Sequence, residues 1–189
     1  RRLSGYTSGR WELIMPVYLP SSLTDSQFAI VLNTYPASGN ADWSLQIELD
    51  GANGFVRDYD GNGAIVMQRD SWSEIRVTID LDSDTQTAYY DGQVLVSKGW
   101  SDGNEPGGAT EIAAIDLWGA GSTTVVYYDT MTLRPLAAPP CPADLDGGGD
   151  VGFTDLVLLL TSWGSCPGCP EDLDGDGNVG FTDVVILLS

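Results

Sequence analysis

Apolar and polar side chains alternate with a period of two through most of residues 9–133. The clearest runs are 11–19, 43–49 and 75–81, and turns rich in glycine, aspartate and asparagine separate the runs. Alternation places successive side chains on opposite faces of a strand, so each run predicts a strand with one buried face. Nine such runs begin near residues 10, 27, 43, 54, 64, 74, 85, 111 and 123. The pattern predicts a mainly β fold for residues 1–135, arranged as a two-sheet antiparallel sandwich.

The alternation stops at an alanine- and proline-rich segment, residues 136–140, which predicts a linker. Beyond it, residues 144–161 reappear as residues 172–189 with an offset of 28, and 13 of the 18 positions are identical. Each copy contains a twelve-residue loop and then an apolar run, so each predicts a loop followed by one helix. Two such helices can bury their apolar faces on each other. We therefore predict a small α-helical module over residues 141–189, with its second helix cut short where the sequence stops.

Acidic residues of the repeat recur at fixed positions of the loop. In the second copy they occupy positions 1, 3, 5 and 12, with glycine at position 6 and an aliphatic residue at position 8. Oxygen ligands on alternate positions of a sharply turning loop can point at one hard cation, together with the backbone carbonyl of position 7. A solvated acidic turn is the alternative, but it does not account for glycine and valine repeating in register. The sequence therefore predicts EF-hand-like calcium loops.

This paired loop-and-helix pattern resembles type I dockerin modules, from about residue 142 to the end of the sequence. The resemblance implies calcium-dependent folding and, in cellulosomal relatives, docking onto cohesin modules. The ligands that it implies in the second loop are Asp172, Asp174, Asp176, Asn178 through its carbonyl, and Asp183. The ligands that it implies in the first loop are Asp144, Asp146, Asp150 through its carbonyl, and Asp155. Because Gly148 replaces an acidic residue at position 5, we expect two calcium sites of which the first is the weaker.

Positions 10 and 11 of the two loops carry the same pair of residues, as Phe153-Thr154 and Phe181-Thr182. In dockerins these positions help to select the cohesin, so the resemblance implies a cohesin-like protein as a partner. The alternative is that both phenylalanines belong to the core of the module.

Three cysteines flank the repeat. Cys141 and Cys169 each precede a loop by three residues, and Cys166 follows the first apolar run. Equivalence of the two copies predicts a disulfide from Cys141 to Cys166, with the partner of Cys169 lying beyond the sequence. The Cys-Pro-Gly-Cys spacing is also typical of redox dithiols, but no thioredoxin-like context surrounds it. A disulfide together with calcium loops predicts an extracellular or cell-surface location.

The charge balance excludes several classes of function. The chain has 27 acidic and 8 basic residues, a formal net charge of −19, and no histidine. Such a surface repels phosphate backbones and anionic lipids, which argues against nucleic-acid and membrane-surface partners. The missing histidine removes the usual triad base and the usual zinc ligand. The longest aliphatic run, residues 156–160, is far too short to span a bilayer.

Three segments of the first region, residues 72–82, 85–92 and 127–133, resemble strands of the laminin-G/concanavalin A-like jelly rolls. The resemblance implies a jelly-roll sandwich that recognises carbohydrate or protein, and in some branches hydrolyses glycosides. Candidates for sugar contact are aromatic residues near turns, namely Trp43, Tyr59 and Trp100. The tryptophans expected in the core, because they lie within alternating strands, are Trp11, Trp72 and Trp118.

The candidates for catalysis are Glu48 and Asp50, which share one face of a predicted strand. Retaining glycosidases use two carboxyl groups about 5–5.5 Å apart, and neighbours on one strand face are near that separation. Alternation on a solvent-exposed face explains the pair equally well without any chemistry.

Together these patterns predict a non-catalytic extracellular calcium-binding protein. A lectin-like module for carbohydrate or surface recognition would precede a dockerin-like module for docking or anchoring. The alternative function is an accessory or catalytic domain of a secreted glycoside hydrolase in polysaccharide degradation. Because the sequence opens with neither methionine nor an apolar signal core, we expect it to be an internal piece of a longer protein.

Overall fold

The computed structural model describes residues 1–36, 40–104, 107–121, 124–137 and 141–189. The chain divides into two compact units, residues 1–136 and residues 137–189. Within the predicted linker 136–140, residues 138–140 lie outside the described residues. No helix in the described ranges has the length and apolar character needed to cross a bilayer.

The first unit, which we call the sandwich unit, contains two antiparallel sheets. Its strands among the described residues are β1 (Arg10–Tyr18), β2 (Ser26–Thr34), β3 (Asp42–Asp50), β4 (Phe55–Asp58), β5 (Ala64–Val66), β6 (Trp72–Asp80), β7 (Thr85–Tyr90), β8 (Gln93–Gly99), β9 (Ala114–Gly119), β10 (Tyr127–Tyr128) and β11 (Thr132–Pro135). One sheet has the order β5-β4-β3-β2-β9, and the other has the order β10-β1-β6-β7-β8 with β11 also paired to β1. The predicted mainly β, two-sheet antiparallel architecture is confirmed.

Alternating side chains form the main core of the sandwich unit. In β6, Ile75, Val77 and Ile79 are buried, while the intervening Arg76 and Thr78 are only partly covered. β-Branched side chains suit a half-buried pleated strand, and burying each contributes about 1.5–3 kcal/mol. The predicted run near residue 85 comprises two strands, β7 and β8, because the Asp91-Gly92 turn divides it. The predicted start near residue 123 lies outside the described residues.

The second unit, which we call the repeat unit, contains two short helices. Its elements are α1 (Phe153–Thr161), β12 (Gly164–Ser165), β13 (Asn178–Val179) and α2 (Phe181–Leu187). The buried core of this unit consists of Ala143, Leu159, Val179 and Leu187. Both helices begin before position 12 of their loops, whereas the sequence predicted that they begin after it. The reason is that the carboxylates of Asp155 and Asp183 accept the backbone N–H of Gly152 and Gly180 at the N-caps, which places both aspartates inside the first turn.

The disulfide of the repeat unit joins Cys166 to Cys169, and Cys141 is an exposed free thiol. The predicted Cys141–Cys166 pairing is therefore wrong. A local turn explains the observed bond: Gly168 adopts a φ of 81°, and the backbone N–H of Cys169 donates to the carbonyl of Cys166 at 3.2 Å. This turn brings the two Cα atoms to 5.7 Å, within the usual range for a disulfide.

Candidate functional sites

Strand β2 is buried on both of its faces. Ala29 and Val31 belong to the main core, whereas Phe28, Ile30 and Leu32 form a separate apolar cluster on the outer face of the five-stranded sheet. Each of these three residues is nearly inaccessible to solvent. A buried apolar cluster outside the main core needs cover from neighbouring side chains.

Two aromatic rings cover part of this outer cluster. The ring of Trp118 lies 5.2 Å from that of Phe28, and the ring of Tyr59 contacts Phe28 edge-on at 5.8 Å. Trp118 is nevertheless 53% exposed and Tyr59 is 56% exposed. The prediction that Trp118 lies in the core is wrong, because its position in β9 faces outward. Both rings therefore rest on an apolar base and present their remaining surface to solvent.

A β-bulge places a second tryptophan on the same outer face. The pairing of β2 with β3 shifts between Val31 and Leu32, opposite Trp43 and Leu45. Strict alternation would direct Trp43 to the same side as Leu45, which is in the main core, but Trp43 is 37% exposed and lies beside Gln46. Bulges often redirect a side chain next to a functional site.

These outward-facing residues enclose a cleft of about 180 Å³, lined by Ile30, Trp43, Gln46, Asp116 and Trp118. We call it the tryptophan cleft. Ile30 forms its floor, since it pairs with Gln46 of β3 on one side and with Asp116 of β9 on the other. Trp43 is level with Leu32 and Trp118 with Phe28, four residues apart along β2, so the two backbone positions are offset by about 13 Å along the strand.

Gln46 lacks a partner at the base of the tryptophan cleft. Its side chain is almost fully buried, and its Oε1 atom accepts no hydrogen bond from any described residue. Leaving a buried polar atom unpaired costs about 1–3 kcal/mol, so such atoms are rare in folded proteins. The nearby Asp116 carboxylate is exposed and is a second acceptor. Indole walls with two oxygen acceptors provide the chemistry that a sugar ring requires.

Two other predicted aromatic positions differ in the structure. Trp100 is fully buried, and its Nε1 donates to the carbonyl of Glu111 at 3.1 Å. Its own carbonyl accepts the Ser44 hydroxyl at 2.6 Å, so Trp100 is a core residue and the prediction of sugar contact is wrong. Trp72, expected in the core, is instead 55% exposed on the six-stranded sheet, where its ring lies 5.7 Å from that of Tyr18. Trp11, also expected in the core, is partly buried and packs against the main core of the sandwich unit.

Lys98 supports the surroundings of the tryptophan cleft, and sequence reasoning missed this role. Its Nζ lies 3.0 Å from Asp58 Oδ1, 3.0 Å from Asp60 Oδ2 and 3.1 Å from the side-chain oxygen of Asn104. Tyr59 lies between the two aspartates in sequence, and the backbone N–H of Asn104 donates to the carbonyl of Trp43 at 3.0 Å. The only lysine in the chain therefore anchors the segments next to the rings of Tyr59 and Trp43. That uniqueness was the one available sequence signal.

The catalytic candidates Glu48 and Asp50 share the outer face but are both engaged by Arg57. Ser26 also donates to Glu48 at 2.6 Å, and Asn53 donates to Asp50 from its backbone and its side chain. Burial raises the pKa of Asp50, but these hydrogen bonds and the Arg57 charge together hold that pKa below its usual value. A glycosidase acid needs a raised pKa, so this arrangement favours an ion-pair network.

In the repeat unit, the loop carboxylates converge in groups of three. Asp172, Asp174 and Asp176 of the second loop each place one oxygen within 4.8 Å of the others. The corresponding group in the first loop is Asp144, Asp146 and Asp155. The other predicted carboxylate ligands, Asp150 and Asp183, lie in the loops without joining these groups, and Asn178 occupies position 7 of the second loop.

The aspartates at position 12 organise the loops through backbone hydrogen bonds. Asp183 accepts the N–H groups of Leu173 and Asp174 at one oxygen and that of Gly180 at the other. Asp155 makes the equivalent three bonds in the first loop. The bond from the glycine N–H is the main cause that lowers the pKa of each carboxyl below its ordinary value. Both aspartates are therefore held ionised, and their remaining lone pairs stay available to a cation.

The two loops differ in one carboxylate oxygen at position 1, which has no hydrogen-bond partner in the second loop. Asp172 Oδ1 is buried without a hydrogen-bond partner among the described residues, while its Oδ2 accepts the Gly177 N–H at 2.9 Å. In the first loop both oxygens of Asp144 accept N–H groups, from Gly148 and Gly149. A close set of carboxylates with one orphaned oxygen fits a hard cation such as Ca²⁺. The second loop therefore fits calcium better than the first.

Comparisons with known proteins concern the sandwich fold. No protein-family model matches the chain, and no curated protein matches it. Among solved structures, a sialidase matches with a TM-score of 0.50 and 10% identity over 85% of this chain and 16% of that chain. Sheep galectin-11 and the galectin LEC-6 of Caenorhabditis elegans have TM-scores of 0.49 and 0.48, with 8% and 13% identity; each match covers 71% of this chain and 96% or 88% of the galectin. The chain thus shares the fold of a small part of that sialidase, which is consistent with a concanavalin A-like jelly roll.

Proposed function

We propose that the sandwich unit recognises carbohydrate in the tryptophan cleft, and that the repeat unit is a calcium-binding module for docking or anchoring. The protein would act outside the cell or at its surface, and its role would be non-catalytic. The observation that carries this proposal is the tryptophan cleft itself, in which two exposed indoles lie beside Gln46, whose Oε1 is buried without a partner among the described residues.

The apolar and polar groups of a sugar ring each have a matching partner in the tryptophan cleft. The C–H face of a pyranose ring is apolar and can pack on an indole, while its hydroxyls need hydrogen-bond partners. If the Gln46 amide turns toward the cleft, a sugar hydroxyl that donates to Oε1 would relieve the cost of that unpaired atom, and a second hydroxyl could donate to the exposed Asp116. Since Trp118 already rests on Phe28, little ordering of its ring is required when a sugar binds.

For the repeat unit, the orphaned Asp172 oxygen supports the calcium proposal. Asp172, Asp174 and Asp176 would hold the ion in the second loop, with Asn178 and Asp183 as further ligands. The ligands in the first loop would be Asp144, Asp146, Asp150 and Asp155. The bound ion would supply positive charge that offsets the repulsion among these carboxylates.

Location and partner remain part of the same proposal. The Cys166–Cys169 disulfide supports an oxidising compartment, since disulfides are rare in cytosolic proteins. The side chains of Phe153 and Phe181 are largely exposed, which supports a role in contact with a cohesin-like partner over a role in the core.

Replacing Trp118 by alanine tests the proposed sugar site. Glycan-array screening of the full chain should identify a bound glycan, and Trp118→Ala should weaken its binding at least about tenfold because one aromatic wall is lost. Trp72→Ala is the matched control, since Trp72 is equally exposed but lies on the other sheet. Isothermal titration calorimetry of both variants gives the two affinities, and thermal melts verify that both are folded. Equal losses in the two variants, or no glycan bound by the wild type, would contradict the proposal.

A further inference from the structure

The charges around the tryptophan cleft narrow the class of glycan. Resting on the function proposed above, we infer that the cleft accepts neutral sugars and rejects those carrying a carboxylate, with Asp116 as the residue that discriminates. Three carboxylates, Glu48, Asp50 and Asp116, share the outer face with one guanidinium, that of Arg57.

Arg57 does not compensate the charge of Asp116. Its guanidinium pairs with Asp50 and lies 3.8 Å from Glu48, so its charge is already balanced on the far side of β3. Asp116 lies on β9, with β3 and β2 between it and Arg57 on β4, and it has no ion-pair or hydrogen-bond partner among the described residues. The tryptophan cleft therefore contains one uncompensated negative charge.

This carboxylate acts differently on the two classes of sugar. A neutral sugar can donate a hydroxyl to it, and a hydrogen bond to an ionised acceptor is stronger than one between neutral groups. A uronate or sialic acid would bring a second negative charge beside it, and like charges repel. The sandwich unit also carries 8 basic and 18 acidic residues, so its overall field opposes an anionic ligand as well.

Pairs of glycans in which only one member carries carboxylates provide the test. We would compare mannohexaose with mannuronate hexamer, galactotetraose with galacturonate tetramer, and lactose with sialyllactose. The full chain is titrated with each by calorimetry at constant calcium and low salt. We expect the wild type to bind the neutral member of a pair roughly tenfold or more tightly than the acidic member.

Asp116→Asn separates the local effect from the overall charge. It keeps a side-chain acceptor but removes the negative charge, so the preference should fall to within about threefold while neutral binding weakens only modestly. Asp129→Asn is the matched control, because it changes the net charge equally at an exposed position outside the cleft. It should retain the wild-type preference.

Each outcome of these titrations decides one question. Acidic sugars that bind as tightly as neutral ones would overturn the inference and leave the carbohydrate proposal in place. A preference that survives in Asp116→Asn, or that is lost equally in Asp129→Asn, would overturn the role of Asp116. If no member of any pair binds, the proposed carbohydrate function fails and the inference fails with it.

Discussion

The sandwich unit and the repeat unit neutralise their buried acids in different ways. In the sandwich unit, Glu12 is paired with Arg76 at 3.5 Å and with Arg134 at 2.8 Å, and the buried Asp58 is paired with Lys98. The repeat unit contains no lysine or arginine, so backbone N–H groups are the partners that the structure gives its carboxylates. The sandwich unit therefore contains its own counter-charges, whereas the repeat unit has none among its side chains, and we propose that it takes a cation from solution.

This difference divides the net charge of −19 between the two units. Nine of its 27 acidic residues lie in the last 49 positions, and most of these are at ligand spacing in the two loops. Their repulsion is a cost that bound calcium would remove. The acids of the sandwich unit are spread among arginines and one lysine, and their ion pairs fix the local geometry near the tryptophan cleft.

Removal of calcium should produce the largest difference between the two units. Adding a chelator such as EGTA should unfold the repeat unit, because its loop carboxylates lose their counter-charge, and leave the sandwich unit folded. Two-dimensional amide NMR of the full chain measures both units at once. Signals of residues 141–189 should collapse and return on adding calcium but not sodium. Unchanged repeat-unit signals in EGTA would contradict the dependence on calcium.

Lys98→Met should have the next largest effect, which is a loss of stability of the sandwich unit. It leaves the fully buried Asp58 carboxylate without a cation, which we expect to lower the free energy of unfolding of the sandwich unit by about 3–5 kcal/mol. Chemical denaturation followed by tryptophan fluorescence measures this loss. Glu74→Gln, which removes a half-exposed partner of Arg76, is the control and should cost no more than about 1 kcal/mol. Calcium affinity of the repeat unit should stay unchanged; a parallel fall would argue against independent units.

A smaller effect should separate the two loops of the repeat unit. Asp172→Asn should weaken the tighter calcium site about 10- to 100-fold, because it removes the charge of the loop carboxylate whose Oδ1 has no partner among the described residues. Asp144→Asn, at the equivalent position, should affect only the weaker site. Calcium titrations monitored by calorimetry resolve the two sites. Two equal, tight sites in the wild type would contradict the expected order.

Periodic features of the sequence predicted the sandwich well because the main core is built by strict alternation. Alternation defines two faces of a strand, but it does not indicate which face packs into the main core and which faces outward. Trp118 and Trp72 were therefore assigned to the core although they face outward. Trp100 follows the end of β8, where hydrogen bonds to Glu111 and Ser44 hold it inside, and no local pattern indicates those partners.

Features that depend on distant residues or on turn geometry could not be predicted from the sequence. Lys98 is 40 positions from Asp58, so their ion pair leaves no local pattern. The bulge that turns Trp43 outward depends on the register between β2 and β3. Equivalence of the repeat copies suggested the wrong disulfide, because the tight turn between Cys166 and Cys169 occurs only between the copies. The ligand set proposed for the loops, by contrast, follows from a spacing of acidic residues that occurs in both copies of the repeat.

Indole ¹⁵N–¹H NMR during titration with the bound glycan tests the proposed sugar site most directly. Each of the six tryptophans gives its own Nε1–H signal. The signals of Trp43 and Trp118 should shift with the titration, while those of the buried Trp100 and the distant Trp72 should stay in place. If Trp72 shifts and the signals of Trp43 and Trp118 do not, the glycan does not bind in the tryptophan cleft.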